Sequence, residues 1–235
     1  MIEKNIFQSW CTKKLPPLLE QKINFFKNLN PEYTYHLYDD DEMDHFVNEH
    51  YPGEIADCYN KLNIIVAKVD FWRYLILYKY GGVYLDMDSS IEQPLKDLIK
   101  EEDEAIITAE NNPAMYVQWA LIFSKQHPIL KQTIVFIIDN IKKNSFPNDI
   151  HKMTGPSVYS KAINAIHTNL FHEIINHSQI KPHTDVTYKY STISYRLYGI
   201  DYNRFFCFKH QYAYLLYNGK KHWRQEQVEK KLLTL

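Results

Sequence analysis

Two aspartates one residue apart, Asp86 and Asp88, close an apolar run that begins at Val83. In an extended strand, Tyr84, Asp86 and Asp88 would share one face, and Val83, Leu85 and Met87 the other. An apolar strand that ends in two carboxylates presents a pair of hard oxygen ligands at the rim of a sheet. Such a pair suits Mg²⁺ or Mn²⁺, and such a cation suits a diphosphate. Short acidic pairs are common in exposed loops. Here the apolar lead-in sets the pair apart, because buried strands do not usually end in unpaired charges. A second pair, Asp70 and Arg73, stands three residues apart on a helical stretch, so the two side chains are neighbours. Taken alone, that is a surface ion pair worth only ~0.3–0.5 kcal/mol.

The elements that must position these residues can be read around them. Leu62, Ile65, Val66, Val69, Trp72 and Ile76 recur at three- and four-residue spacings, which predicts a helix with one apolar stripe. Gly81 and Gly82 end it. Residues 4–10 read as a first strand. Pro16 and Pro17 open a helix that continues through Leu19, Ile23, Phe26 and Leu29. Tyr33 to Tyr38 is a second strand. The run Asp39-Asp40-Asp41 invites a metal reading, but Asp41 as N-cap of a helix from Glu42 is the simpler account. Strands follow at Ala105–Ala109, Trp119–Phe123 and Phe205–Phe208, and helices start at Pro128 and near Val158. The alternation predicts an α/β domain with a mixed, mainly parallel sheet and a nucleotide at the carboxyl ends of its strands. Neither a dinucleotide-binding glycine fingerprint nor a P-loop occurs, so a metal must neutralise much of a diphosphate's charge.

The sequence from Ala67 to Asp88, Ala67-x-x-Asp70-x-x-Arg73-Tyr74, then Gly81-Gly82-x-Tyr84-x-Asp86-x-Asp88, resembles the signature of DXD-containing sugar transferases of the Och1-like type. That group includes capsular polysaccharide synthesis enzymes and is distantly related to the glycosylating domain of large clostridial toxins. Ile6-x-Gln8-x-Trp10 resembles the opening strand of the same group. The resemblance implies a GT-A-like, Rossmann-like nucleotide-sugar transferase domain over residues 1–235, with a donor half (1–90) and an acceptor half with a closing segment (91–235). It implies that Arg73, Asp86 and Asp88 are catalytic, with Asp88 on Mn²⁺ (or Mg²⁺) and Asp86 between ribose and metal. Gln8, Trp10, Asp70, Arg73, Gly82, Tyr84 and Asp86 would bind the donor, Trp10 by stacking on the base. Without the resemblance, Trp10 would be read as core. Transfer with retention of anomeric configuration is also implied by the family and by nothing else in the chain.

The tail departs from the family pattern. Leu215 and Leu216 stand where a histidine pair is expected, and His222-Trp223 takes the place of Ser-Trp. His222 is expected to complete the metal site with Asp86 and Asp88. With Trp223 it would reach the donor from a lid formed by Asn218 to Lys221. The last dozen residues, with Lys230, Lys231 and Leu232 to Leu235 among them, are expected to form a short basic amphipathic helix, either solvated or docked on an anionic membrane.

Composition bounds the alternatives. The chain has 235 residues, 45% hydrophobic and 23% charged, with a formal net charge of −1, so nothing suggests a nucleic-acid partner. Its 19 tyrosines suit either strands or sugar-stacking surfaces. Three scattered cysteines and the absence of a signal pattern or an apolar stretch of ~18 residues predict a cytoplasmic protein, at most peripheral on the inner membrane face. The expected partners are a UDP- or GDP-sugar donor and a saccharide or lipid-linked saccharide acceptor. Two other readings stay open: a catalytically inactive carbohydrate- or nucleotide-sugar-binding protein of this fold, and a metal-dependent phosphohydrolase.

Overall fold

A computed structural model describes residues 1–110, 112, 115–170, 186–190, 192–198, 205–217 and 222–234. In chain order the first half holds β1 (Asn5–Ser9), α1 (Pro17–Leu29), β2 (Thr34–Tyr38), α2 (Asp40–His50), α3 (Glu54–Asn60), α4 (Ile65–Tyr80), β3 (Gly82–Leu85) and β4 (Ser90–Ile91). The second half holds β5 (Ala105–Thr108), β6 (Ala120–Phe123), α5 (Pro128–Lys143), α6 (Ile150–Met153), α7 (Pro156–Leu170), β7 (Val186–Tyr190), β8 (Ile193–Tyr198), β9 (Phe206–Cys207), α8 (Tyr214–Tyr217) and α9 (Trp223–Glu229).

Seven strands form one sheet in the order β2-β1-β3-β6-β5-β8-β7, and β4 pairs with β9 in a separate two-stranded ladder. β1 runs parallel to β2 and β3, and β5 parallel to β8, while β6 and β7 run against their neighbours. The mixed sheet with mainly parallel strands agrees with the sequence reading. Side chains alternate across it. Phe7 and Tyr84 enter a core shared with α2 to α7, whereas Ile6, Val83, Leu85 and Met87 enter a second core under α1 and β9.

Most local signals act as expected. Proline occupies the first turn of α1 and of α5. The cap of α2 is Asp39, not Asp41: its carboxylate accepts from Glu42 N while Glu42 accepts from Asp39 N, a reciprocal capping box. At Gly82, φ is +118° and a Cβ would lie 2.5 Å from the Asn5 carbonyl oxygen, so close approach of β1 to β3 requires a glycine.

Three expectations need correction. α4 begins at Ile65 and has no single apolar stripe, because every residue from Asp70 to Leu77 is buried, with α2, α5, α6 and β3 packed around it. β3 ends at Leu85, so Met87 and Asp88 lie in a turn and not on the strand. Of the last dozen residues, those up to Glu229 are helical in α9, but the described residues after it are extended and not helical. Leu232 is only 1% exposed and accepts from Asn63 N, Leu233 bridges to Leu62, and Thr234 N donates to Lys61 O. Burying Leu232 removes more apolar surface from water than an exposed terminal helix would, so the chain end closes onto the α3–α4 connection. Among the described residues, no helix is long and apolar enough to cross a membrane.

Candidate active site

Parallel β1, β2 and β3 bring Trp10, Asp39 and Asp86 to the same edge of the sheet, the edge formed by their carboxyl ends. β6 runs the other way, so the residues that precede it arrive at that edge as well. Asp86 N donates to Trp119 O at 2.8 Å, which anchors the acidic turn to the start of β6.

The centre of the site is Arg73, contributed by the buried α4 and only 4% exposed. Its guanidinium reaches Asp70 Oδ1 at 3.0 Å and Asp86 Oδ1 at 3.2 Å, donates to the Gln118 carbonyl at 3.2 Å, and lies 4.6 Å from the centroid of the Tyr84 ring. Asp70 also accepts from Gln118 Nε2 at 3.1 Å and Thr154 Oγ1 at 3.4 Å. Asp70 and Arg73 are therefore a buried pair, not the surface pair that spacing alone suggests. The reason is the closure of packing around α4. Gln118 and Thr154 come from connections far along the chain, and no local pattern announces their convergence on Asp70.

Asp86 accepts from the Tyr84 hydroxyl at 2.7 Å, and its side chain stays 29% exposed. Its pKa is raised to about 6: desolvation pushes it up, Arg73 pulls it down, Asp88 raises it and the Tyr84 bond lowers it. Desolvation also raises Asp70, against the pull of Arg73. Arg73 is the one cation paired with Asp70 and Asp86 among the described residues. Two carboxylates on one guanidinium, with Asp88 acting on Asp86 as a third, leave an excess of negative charge, which a bound cation would relieve. Asp88 is buried. It accepts from Ser89 Oγ at 3.2 Å and from the Tyr217 hydroxyl at 2.7 Å, and its carbonyl accepts from His210 N at 2.9 Å. Both oxygens keep lone pairs for a cation.

The remaining sequence candidates are placed as follows. Gln8 is fully buried; its amide donates to the Asp86 carbonyl at 3.1 Å and accepts from Tyr35, so it braces the acidic turn from behind. Trp10 is half-buried against the second core at the end of β1. Gly82 lies at the opposite end of β3 from Asp86, where it permits contact with Asn5. His222 is not brought to the acidic pair. Its ring accepts from Arg224 N and caps α9, and it is exposed. The half-buried Trp223 packs on the first core. The lid residues Asn218 to Lys221 lie outside the described residues. Of the two leucines at the departure from the family pattern, Leu216 is buried and Leu215 packs against the second core. Tyr217 and His210, which sequence reasoning passed over, are the tail residues that reach Asp88.

Among the described residues, no three His, Cys, Asp or Glu side chains converge on a metal-sized site. Two carboxylates nevertheless fit Mg²⁺ or Mn²⁺, which commonly take one or two protein carboxylates and complete their shell with phosphate oxygens and water.

A GT-A-type domain with an acidic pair at the carboxyl edge of its sheet is thus the class that the fold and site define. The comparisons agree. Residues 16–105 match the family model described as a glycosyltransferase sugar-binding region containing the DXD motif. Inositol phosphoceramide mannosyltransferase 3 of Schizosaccharomyces pombe is 31% identical over 133 residues, covering 57% of this chain and 36% of that protein. The initiation-specific alpha-1,6-mannosyltransferase of Candida albicans is 26% identical over 200 residues, covering 68% and 52%. The chain thus spans about a third to a half of the length of these relatives. Among solved structures, PaToxG glycosyltransferase aligns with a TM-score of 0.60 at 19% identity, covering 75% of this chain and 74% of that one. The UDP-bound glycosyltransferase domain from the YGT toxin aligns with a TM-score of 0.51 at 10% identity, covering 72% and 78%.

Proposed function

We propose that the protein is a metal-dependent glycosyltransferase that moves a hexosyl group from a nucleoside-diphosphate sugar to a hydroxyl of a saccharide or lipid-linked saccharide. The observation that carries this reading is the excess of carboxylates over the one Arg73 guanidinium at the carboxyl edge of the sheet, where Asp88 acts electrostatically on Asp86. A divalent cation bound there supplies Lewis-acid neutralisation of a leaving diphosphate. Mannose is the favoured sugar, since the named relatives are mannosyltransferases.

The chain's own residues do the positioning. Arg73 and Tyr84 fix Asp86, and Gln8 and Trp119 hold its backbone, so the ligand oxygens are set before the donor arrives. Trp10, at the end of the neighbouring strand, is the candidate platform for the base. Residues 1–90 would then carry the donor and the later residues the acceptor. Among the described residues no carboxylate or hydroxyl stands out as a covalent nucleophile, so retention by attack on the donor's own face is the matching stereochemical reading.

The test is to incubate the protein with GDP- and UDP-sugars and Mn²⁺ and to measure release of the nucleoside diphosphate. One donor should be turned over, EDTA should stop the release, and Asp88→Asn should lower it by at least ~100-fold, several kcal/mol of transition-state stabilisation. Donor binding without turnover in the presence of acceptor saccharides would favour the binding-protein reading. Release that EDTA leaves intact would remove the metal from the proposal.

A further inference from the structure

The segment from Phe205 to Tyr217 contains no acidic residue, yet it is fastened to the acidic turn at several points. β9 pairs with β4 through Ser90–Cys207 and Ile91–Phe206, just beyond Asp88. Lys209, held at a φ of +53°, leads into His210, whose N–H donates to the Asp88 carbonyl and whose ring hydrogen-bonds the Met87 carbonyl. The other ring nitrogen of His210 accepts from Tyr212 N at 3.2 Å. The last fastening is the Tyr217 hydroxyl on Asp88 Oδ2 at 2.7 Å.

His210 and the β4–β9 ladder hold backbone, so either could be scaffolding. Tyr217 differs, because it touches the carboxylate. Its residue is 43% exposed, so core filling does not account for the placement of its ring. Tyr214, three residues earlier in α8, is 63% exposed, and none of its atoms is bonded to the acidic turn. A carboxylate rotates broadly about its terminal torsion unless donors fix it. On Asp88, Ser89 Oγ meets Oδ1 and Tyr217 meets Oδ2, so the two donors set its plane while each oxygen keeps a lone pair.

We infer that Tyr217 is a positioning residue for Asp88, orienting the carboxylate as a ligand for a divalent cation and so coupling the C-terminal segment to metal affinity. This rests on the reading of Asp86 and Asp88 as a cation site. Partners that orient a metal ligand characteristically change affinity by about 10–100-fold when removed.

The experiment is a Mn²⁺ titration followed by electron paramagnetic resonance, with Mn²⁺ alone and with GDP or UDP added, on wild type, Tyr217→Phe, Tyr214→Phe and Asp88→Asn. Tyr217→Phe should bind Mn²⁺ about 10–100-fold more weakly while melting within a few degrees of wild type, and excess Mn²⁺ should restore occupancy. Tyr214→Phe should leave the titration unchanged. Equal Mn²⁺ affinity in Tyr217→Phe and wild type overturns the inference. Tighter binding also overturns it, and would make the phenol a competitor for the carboxylate. Wild type that binds no Mn²⁺ under any of these conditions removes the cation site itself, a different failure from the loss of the Tyr217 effect alone.

Discussion

A single guanidinium, Arg73, serves two buried or partly buried carboxylates. Removing it leaves Asp70 with Gln118 and Thr154 as neutral donors only, and a buried carboxylate that loses its cation is destabilised by about 3–5 kcal/mol. Arg73→Met should therefore lower the urea midpoint strongly. Asp88→Asn should not, since the amide still accepts one of the two hydroxyls that Asp88 holds, and the change is on the order of 1 kcal/mol. If Arg73→Met unfolds in urea as wild type does, the pair is not the buried one described. The contrast matters for function: lost activity in the Arg73 variant reports on folding and chemistry together, whereas lost activity in the Asp88 variant reports mainly on chemistry.

Among the elements, α5 offers a pH-dependent test. Its cap is His127, buried and neutral, with one ring nitrogen accepting from Ile129 N at 3.2 Å and the other bonded to the Ser194 carbonyl at 2.8 Å in β8. Its pKa is lowered to about 4, burial outweighing the upward pull of the Ser194 bond. The unfolded chain takes up this proton near pH 6.5, so the folded state loses stability as pH falls from about 6.5 to about 4, by up to about 3 kcal/mol. Asp86 acts with the opposite sign. Its folded pKa near 6 lies above the unfolded value, so acidification over the same range relieves a penalty. The two effects overlap, and a single melting curve cannot separate them. Asparagine is a good helix cap without the titration. His127→Asn should therefore lose less stability than wild type between pH 7 and 4.5, and parallel curves for the two would rule out a neutral buried His127.

For the whole molecule, the β3–β6 pairing joins the two chain halves, and two further fastenings tie the C-terminal residues to the first half. One is the fastening of the Phe205–Tyr217 segment to the acidic turn. The other is the chain end, where Leu232 enters the core beside Leu62 and the Lys61–Asn63 backbone pairs with residues 232–234. Leu232→Ala should lower stability by about 2–5 kcal/mol, as for other buried leucines, measured by urea unfolding. A change below ~0.5 kcal/mol would return the tail to the category of a solvated terminus.

The sequence by itself determined the alternation of strands and helices, the proline and glycine boundaries of α1, α4 and α5, and the DXD signature with its helix. These are local: periodicity, caps and φ preferences act over a few residues, and the Ala67–Asp88 motif is one contiguous stretch. The tertiary structure decided the rest. Whether Asp70 and Arg73 form an exposed or a buried pair depends on α2, α5 and α6 closing around α4, and the spacing of three residues is the same in either case. That Gln118 and Thr154 meet Asp70, that Tyr217 and not His222 reaches Asp88, and that Leu232 is core all depend on contacts between residues 48 to 173 positions apart. Such contacts follow from the sheet order, with β6 antiparallel beside β3 and β9 folded back on β4. No pattern confined to a helical turn or a strand's length can encode them.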